Sequence, residues 1–165
     1  MVAEHPSFFK WVVSGKLLGS PFPLGQDLNE LLELKVKLVV TLTSRGMPNR
    51  IKERLQLSGV EWKRLPVPDF GVPNKTIISD YLQSVCKVLM QNKAVLTHCI
   101  AGCGRTGTMI GLFLTTHGHS PEDALEVIHK TLGGGCPETK SQIDLIYQYT
   151  KKCPNFSECK GELNL

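Results

Sequence analysis

Short apolar runs alternate along the chain with segments in which apolar residues recur every three or four positions. The runs predict β-strands, and the spaced segments predict amphipathic helices. The predicted strands are two short ones within residues 8–20, joined by a turn, and then 37–43, 60–65 and 94–98. The predicted helices are 26–35, 48–57, one that begins after Asn74 and continues to Leu89, 105–117, 121–132 and 139–151.

This alternation predicts an α/β fold. Strands separated by helices form a mainly parallel sheet that helices cover on both faces. We therefore expect a central sheet of four to five strands. Residues 66–73 contain three prolines and a glycine, which exclude regular structure, so a loop follows the fourth predicted strand.

The length of 165 residues fits one domain, expected over residues 1–152, with a polar tail over 153–165. The net charge of +4 suits an anionic substrate but falls short of a dedicated nucleic-acid binder. No apolar run approaches the roughly 20 residues that span a bilayer, and residues 1–6 lack the features of a secretory signal. We expect a monomer without membrane contacts, located in the cytoplasm, with the nucleus as a second location.

The six cysteines are expected to be reduced, because no export signal accompanies them and the chain is long enough for a good core. They do not group with histidines at the spacing of a zinc site, so no metal is expected. Cys103 lies close to Cys99 in sequence, which suggests a reversible disulfide between the two that would protect Cys99 from over-oxidation.

The stretch 98–108 contains the most distinctive chemistry of the chain. It joins the predicted strand 94–98 to the predicted helix 105–117 through a glycine-rich turn. Such a turn points backbone N–H groups into one concavity at a helix N-terminus, which binds anions. The same field favours a thiolate, so we expect Cys99 to be a nucleophile. The residues expected to bind a phosphate are Ile100, Ala101, Gly102, Cys103, Gly104 and Arg105.

Hydrolysis of a phosphate ester needs a nucleophile, positive charge for the phosphoryl oxygens and a proton for the leaving group. Cys99 can form a cysteinyl-phosphate, and the planar guanidinium of Arg105 matches two oxygens. The hydroxyl of Thr106 can stabilise the departing thiolate, and His98 can orient the cysteine backbone or favour its thiolate. Asp69 is the expected proton donor and later the base.

Cys99 and Asp69 each follow a predicted strand. Loops that follow parallel strands lie at the same edge of a sheet, where α/β proteins bind ligands. If the two strands are neighbours, Asp69 and Cys99 meet at one site. The scheme requires neither metal nor cofactor.

The run from His98 to Thr106 resembles the signature of the protein tyrosine phosphatase superfamily: histidine and cysteine, five residues, then arginine and serine or threonine. The stretch 104–108, together with 68–70, resembles the small atypical dual-specificity phosphatases within it. The resemblance extends from Phe8, through 42–46, to 138–142, and so covers nearly all of the chain except the tail.

The resemblance implies a shallow pocket that acts on phosphotyrosine and on phosphoserine or phosphothreonine in proteins. It also implies that Gln142 positions a water molecule. Two positions depart from the family pattern. Ser44 stands where relatives often have an acidic residue, which could alter the support of the phosphate loop, and Cys103 places a second thiol beside the nucleophile.

Other functions remain open at this point. RNA 5′-phosphates and phosphoinositides are alternative substrates, although the loop contains no lysine of the kind that phosphoinositide enzymes of this superfamily often have. A non-catalytic phospho-binding module is a second alternative, but Cys99, Arg105 and Asp69 are all present. Residues 102–107 also satisfy the dinucleotide-binding pattern G-x-G-x-x-G. That pattern expects a strand ending in an acidic residue about 20 positions on, where this chain predicts a helix.

Overall fold

The computed structural model describes residues 8–149, which form a five-stranded sheet with helices on both faces. The strand order is β1-β2-β5-β3-β4, with β1 antiparallel to β2 and every other pair parallel. This confirms the predicted α/β class and its mainly parallel sheet. The strands are β1 (Lys10–Val13), β2 (Leu17–Ser20), β3 (Val36–Thr41), β4 (Glu61–Arg64) and β5 (Ala94–His98).

The helices agree with the apolar spacing to within a few residues. They are α1 (Leu28–Glu33), α2 (Asn49–Leu57), α3 (Lys75–Leu89), α4 (Gly104–Thr116), α5 (Pro121–Thr131) and α6 (Lys140–Gln148). The Asn74 side chain accepts a hydrogen bond from the Ile77 N–H at 2.9 Å, which caps α3. The Ser120 hydroxyl caps α5 in the same way. The last helix ends at Gln148, three residues before the predicted end.

Successive residues of the inner strands point to opposite faces of the sheet and are apolar on both. One core contains Leu17, Leu38, Val40 and Val95, which pack with residues of α3, α4 and α5. The other contains their neighbours Leu18, Val39 and Leu96, together with residues of α1 and α2. Because both faces of the sheet are buried, the sequences of these strands are nearly continuous apolar runs.

The strand β5 lies at the centre of the sheet, and five loop residues, 99–103, separate its last residue, His98, from the start of α4. Every residue of α4 is buried, because the helix packs against α3, α5, α6 and the sheet. The glycine-rich turn is therefore fixed at both ends by the most buried elements of the chain.

The strands that precede the Asp69 and Cys99 loops are not neighbours, so the condition under which the sequence predicts a shared site is not met. The strands that precede Asp69 and Cys99 are β4 and β5, and β3 lies between them. The expected tail, 153–165, lies outside the described residues. Within residues 8–149, no helix is both long and apolar enough to cross a membrane.

Candidate active site

Cys99 lies at the bottom of the turn between β5 and α4, with 2% of its surface exposed. Its sulfur accepts a hydrogen bond from the Gly102 N–H at 3.2 Å. Gly102 has a φ of +73°, and a Cβ there would collide with the backbone of Ser20 and Pro21. Only glycine therefore allows the loop to curl back so that an amide points at the sulfur.

Arg105 is 6% exposed and turns its guanidinium towards the loop that contains Asp69. One amino group lies 3.0 Å from the Asp69 carboxylate, and the other donates to the Val67 carbonyl at 3.3 Å. The Asp69 side chain itself is 65% exposed. The structure thus brings together Arg105 and Asp69, two of the three residues predicted to be catalytic, immediately beside the loop of the third, Cys99.

The segment that leads from β4 to Asp69 runs alongside the carboxyl end of β3. The Leu65 N–H donates to the Thr41 carbonyl and the Val67 N–H to the Leu42 carbonyl, both at 2.9 Å. The chain thus continues alongside β3 for several residues after β4 ends. This extension delivers Asp69 to Arg105 although their strands are not neighbours.

The far side of the Asp69 loop is bound to the start of α6 by Gln142, a fully buried residue. Its amide nitrogen donates to the Gly71 carbonyl at 3.0 Å. Its amide oxygen accepts from the N–H groups of Glu138 and Thr139, at 3.0 and 3.2 Å. The Gln142 amide therefore braces two loops against each other, and the water-positioning role that the resemblance implies stays a prediction.

A second contact from the start of α6 reaches the residue that follows Asp69. The Thr139 hydroxyl donates to the Phe70 carbonyl at 3.3 Å. Phe70 has a φ of +55°, which is uncommon for a residue with a side chain, and its ring is 59% exposed. Together with Gln142, this contact fixes the backbone on the carboxyl side of Asp69.

The remaining predicted phosphate-binding residues form the wall and rim of the loop. Gly104 is buried against the Glu138 carboxylate and the Gln142 side chain, where a Cβ would not fit. Ile100 is 59% exposed at the rim. The Thr106 hydroxyl is buried and has no hydrogen-bond partner within residues 8–149. Because buried polar groups are rarely left unpaired, this hydroxyl stands out as one that can still form a hydrogen bond.

His98 is fully buried between β3 and the loop. One ring nitrogen, Nδ1, lies 3.1 Å from the Cys99 carbonyl oxygen, and the other, Nε2, lies 2.7 Å from the Thr41 hydroxyl. Burial lowers the pKa of His98 to about 4, and the bond to the Cys99 carbonyl only partly opposes this effect. The ring is neutral at pH 7, so of the two predicted roles the contacts support the one that orients the cysteine backbone.

The expectation that all cysteines are reduced is wrong. Cys103 forms a disulfide with Cys136, 33 residues away, and so does not pair with Cys99. Sequence proximity misled here because Cys103, at the start of α4, faces the loop before α6, whereas the Cys99 sulfur faces Gly102. Among the residues that the structure describes, Cys99 is the free cysteine. The disulfide fastens the phosphate-binding loop to residues 133–137.

Sequence reasoning missed Cys136, the Glu138 contact with Gly104, and the Thr41 partner of His98. The even number of cysteines was an available signal for Cys136, but pairing cannot be deduced from such a count. Within residues 8–149, no cluster of three or more histidine, cysteine, aspartate or glutamate side chains could hold a metal ion.

The disulfide should stabilise the fold by restricting the unfolded chain. Closing a loop of 33 residues is worth about 2–4 kcal/mol. We expect the double variant Cys103→Ser/Cys136→Ser to melt several degrees below the wild-type protein, measured by differential scanning calorimetry. Both proteins are compared without reductant, because Cys86 is also disulfide-bonded and a reductant would act on that bond as well. Equal Tm values for the two proteins would contradict this prediction.

Burying a neutral His98 should make stability depend on pH. An unfolded histidine takes up a proton near pH 6.5, but folded His98 does so only near pH 4. The unfolded state therefore binds more protons between these values, and stability falls as the pH drops from 6.5 towards 4. Urea unfolding at pH 7.5 and pH 5 should show a loss about 2 kcal/mol larger in wild type than in His98→Asn. An equal loss of unfolding free energy in wild type and His98→Asn would exclude His98 as the cause.

Comparison with known proteins agrees with this geometry. Residues 6–150 match a family model described as "PTP-SAK: Swiss Army Knife protein, DSP-PTPase phosphatase domain". The mouse (Mus musculus) phosphatidylglycerophosphatase and protein-tyrosine phosphatase 1 is 30% identical over 155 residues, which cover 90% of this chain and 79% of the relative.

Two solved structures share the fold. Tk-PTP in its active form is 26% identical and superposes with a TM-score of 0.78, covering 90% of this chain and 99% of the other. PTPMT1 in complex with PI(5)P is also 26% identical, with a TM-score of 0.74, covering 87% of this chain and 94% of the other. The family model covers nearly the whole chain. The chain therefore belongs to the DSP-PTPase phosphatase domains of the protein tyrosine phosphatase superfamily.

Proposed function

We propose that this phosphatase hydrolyses phosphotyrosine and phosphoserine or phosphothreonine in proteins through a cysteinyl-phosphate on Cys99. The observation that carries the mechanism is the 3.0 Å contact between Arg105 and Asp69 at the mouth of the loop that contains the free Cys99. It brings a guanidinium that can bind phosphate and a carboxyl group that can donate a proton together beside a nucleophile. Each of the three parts that the reaction needs is then supplied by one side chain.

In the first step the Cys99 thiolate attacks phosphorus and the bond from phosphorus to the ester oxygen breaks. Arg105 and the loop amides bind the phosphoryl oxygens, and protonated Asp69 gives its proton to the leaving oxygen. The incoming phosphate takes up the guanidinium face that Asp69 contacts in the free protein. Asp69 remains adjacent to the leaving group because Gln142 and Thr139 hold its loop.

In the second step a water molecule attacks the phosphorus of the intermediate and the sulfur–phosphorus bond breaks. Asp69, now a carboxylate, accepts a proton from that water. The thiolate leaves with the Gly102 N–H already directed at the sulfur. The unpaired Thr106 hydroxyl provides a second donor for the site. Inorganic phosphate is released and Cys99 is restored.

The rim of the site supports a protein substrate. Between Cys99 and Arg105 the loop contains no charged residue, and an exposed large apolar side chain directly follows both the nucleophile and the acid: Ile100 follows Cys99 and Phe70 follows Asp69. An apolar rim of this kind suits an aromatic or aliphatic side chain that carries one phosphate. Residues 100–104 of the loop offer no cation to the additional phosphates of an inositol headgroup.

Phosphoinositides are the second candidate, because a related structure, PTPMT1, contains bound PI(5)P. We expect kcat/KM to be highest for phosphotyrosine peptides, measurable for phosphothreonine peptides, and lower for PI(5)P in phosphatidylcholine vesicles and for a 5′-phosphorylated oligoribonucleotide. Phosphate release with malachite green checks this ranking under one set of conditions. A higher kcat/KM for the vesicles or the RNA would replace the protein assignment and leave the mechanism intact.

Substitution of the nucleophile and the acid separates their roles. Cys99→Ser should abolish phosphate release from p-nitrophenyl phosphate. Asp69→Asn should reduce kcat by about 10²–10⁴-fold on phosphotyrosine peptides and less on p-nitrophenyl phosphate, whose leaving group needs little protonation. Asp80→Asn, a matched change on α3, should keep wild-type kinetics. Full activity in Cys99→Ser, or an equal effect of Asp69→Asn on both substrates, would contradict these roles.

A further inference from the structure

Three polar side chains form a line across three neighbouring strands and end at the nucleophile. Thr41 of β3 is the register partner of His98 of β5, whereas Trp62 of β4 is opposite Val39 and hence diagonal to Thr41. The Trp62 indole nitrogen lies 2.9 Å from the Thr41 hydroxyl, which lies 2.7 Å from His98 Nε2. His98 Nδ1 completes the line at 3.1 Å from the Cys99 carbonyl.

The two ends of this line fix the direction of every hydrogen bond in it. The Trp62 indole can only donate, and the Cys99 carbonyl can only accept. His98 is buried and neutral and has one N–H, which must be at Nδ1 because Nδ1 faces the carbonyl oxygen. The Nε2 atom is then an acceptor. The Thr41 hydroxyl therefore donates its hydrogen to His98 Nε2 and accepts a hydrogen bond from the Trp62 indole N–H.

The last bond in the line sets the plane of a peptide in the phosphate-binding loop. A trans peptide holds its C=O and the following N–H in opposite directions. The Cys99 carbonyl and the Ile100 N–H belong to the same peptide. Because this carbonyl accepts a hydrogen bond from His98, the Ile100 N–H points away from His98. The Ile100 carbonyl is held in turn by the Phe22 N–H at 3.0 Å. The first amide after the nucleophile thus has its orientation set by groups outside the loop.

We propose that Thr41 and Trp62 are positioning residues for catalysis: they hold the His98 ring in the orientation in which Nδ1–H donates to the Cys99 carbonyl, and thereby direct the Ile100 amide into the phosphate cradle beside Cys99. This inference rests on the proposed function of Cys99 as nucleophile. Without the Thr41 hydroxyl, the buried Nε2 atom loses its partner. The ring is then held at Nδ1 alone, its hydrogen bond to the Cys99 carbonyl is less constrained, and the peptide is free to turn.

The line also connects the site to the edge strand of the sheet. Trp62 is half-buried on the edge strand β4, and its ring lies against Lys52, whose ammonium is 5.1 Å from the ring centroid. The charged groups at the nucleophile, Arg105 and Asp69, make none of the hydrogen bonds in the line. Substitutions of Thr41 and Trp62 therefore leave the charges of the site unchanged.

The test compares Thr41→Val, which keeps the shape and removes the hydroxyl, with Thr41→Ser, which restores it. Cys99 alkylation by iodoacetamide is followed from pH 4 to pH 9 by mass spectrometry of the Cys99 peptide, and inorganic phosphate is titrated as an inhibitor. We expect Thr41→Val to raise the midpoint pH of alkylation and to weaken phosphate inhibition about three- to tenfold, the effect of losing one hydrogen bond. Thr41→Ser should recover wild-type values for both.

Thr97→Val is the matched control, since Thr97 is a buried threonine of β5 whose hydroxyl bonds to Tyr81 at 2.8 Å instead. It should leave the midpoint and the phosphate inhibition unchanged. Trp62→Phe, on the edge of the sheet, should shift both values in the same direction as Thr41→Val by a smaller amount. This variant also provides the test if Thr41→Val does not fold.

The inference is overturned if the variant lacking the Thr41 hydroxyl, or in its place Trp62→Phe, shows a wild-type midpoint and wild-type phosphate inhibition. An equal shift in Thr97→Val would also overturn it, because the cause would then be general loosening of the sheet. If the proposed function is wrong, the Cys99→Ser variant will still hydrolyse substrate. Alkylation and phosphate inhibition separate the two failures, since alkylation needs no turnover.

Discussion

A buried arginine must have its charge compensated, and the architecture of this site follows from that requirement. Arg105 lies in the first turn of α4, a helix buried along its whole length, so its guanidinium cannot turn to solvent. The compensation comes from the Asp69 carboxylate and the Val67 carbonyl, which both belong to the loop after β4. The same contact that satisfies Arg105 in the free protein thus places the proposed proton donor beside the proposed phosphate site. In the mechanism that we propose, one ion pair serves both stability and catalysis.

The site is held by contacts that come from every side of the phosphate-binding loop. His98 orients the cysteine carbonyl from the sheet, and the disulfide of Cys103 with Cys136 fixes the loop from the side of α6. Gln142 ties the Asp69 loop to the same region. Since most of these partners are backbone groups or covalently fixed atoms, the loop amides are arranged before substrate arrives. Such preorganisation is the main source of electrostatic stabilisation in enzymes.

The neutral state of His98 is a consequence of its position rather than of its sequence neighbours. A charged imidazolium beside the thiol would favour the thiolate, but burial lowers the pKa of His98 to about 4 and excludes that charge. The remaining positive field at Cys99 comes from the start of α4, the loop amides and Arg105. His98 contributes by geometry, and its geometry depends on residues 36 or more positions away, Trp62 and Thr41.

The sequence by itself determined the α/β class, most helix and strand bounds, and the strand, glycine turn and helix around Cys99. These depend on local properties: apolar periodicity, glycine at a positive φ, and capping residues such as Asn74. Only the tertiary structure decided the strand order, which separates β4 from β5, and the partners of Cys103, Gln142 and His98. Those pairings join residues 33 to 71 positions apart and depend on which side chains face each other after packing, which local patterns do not encode.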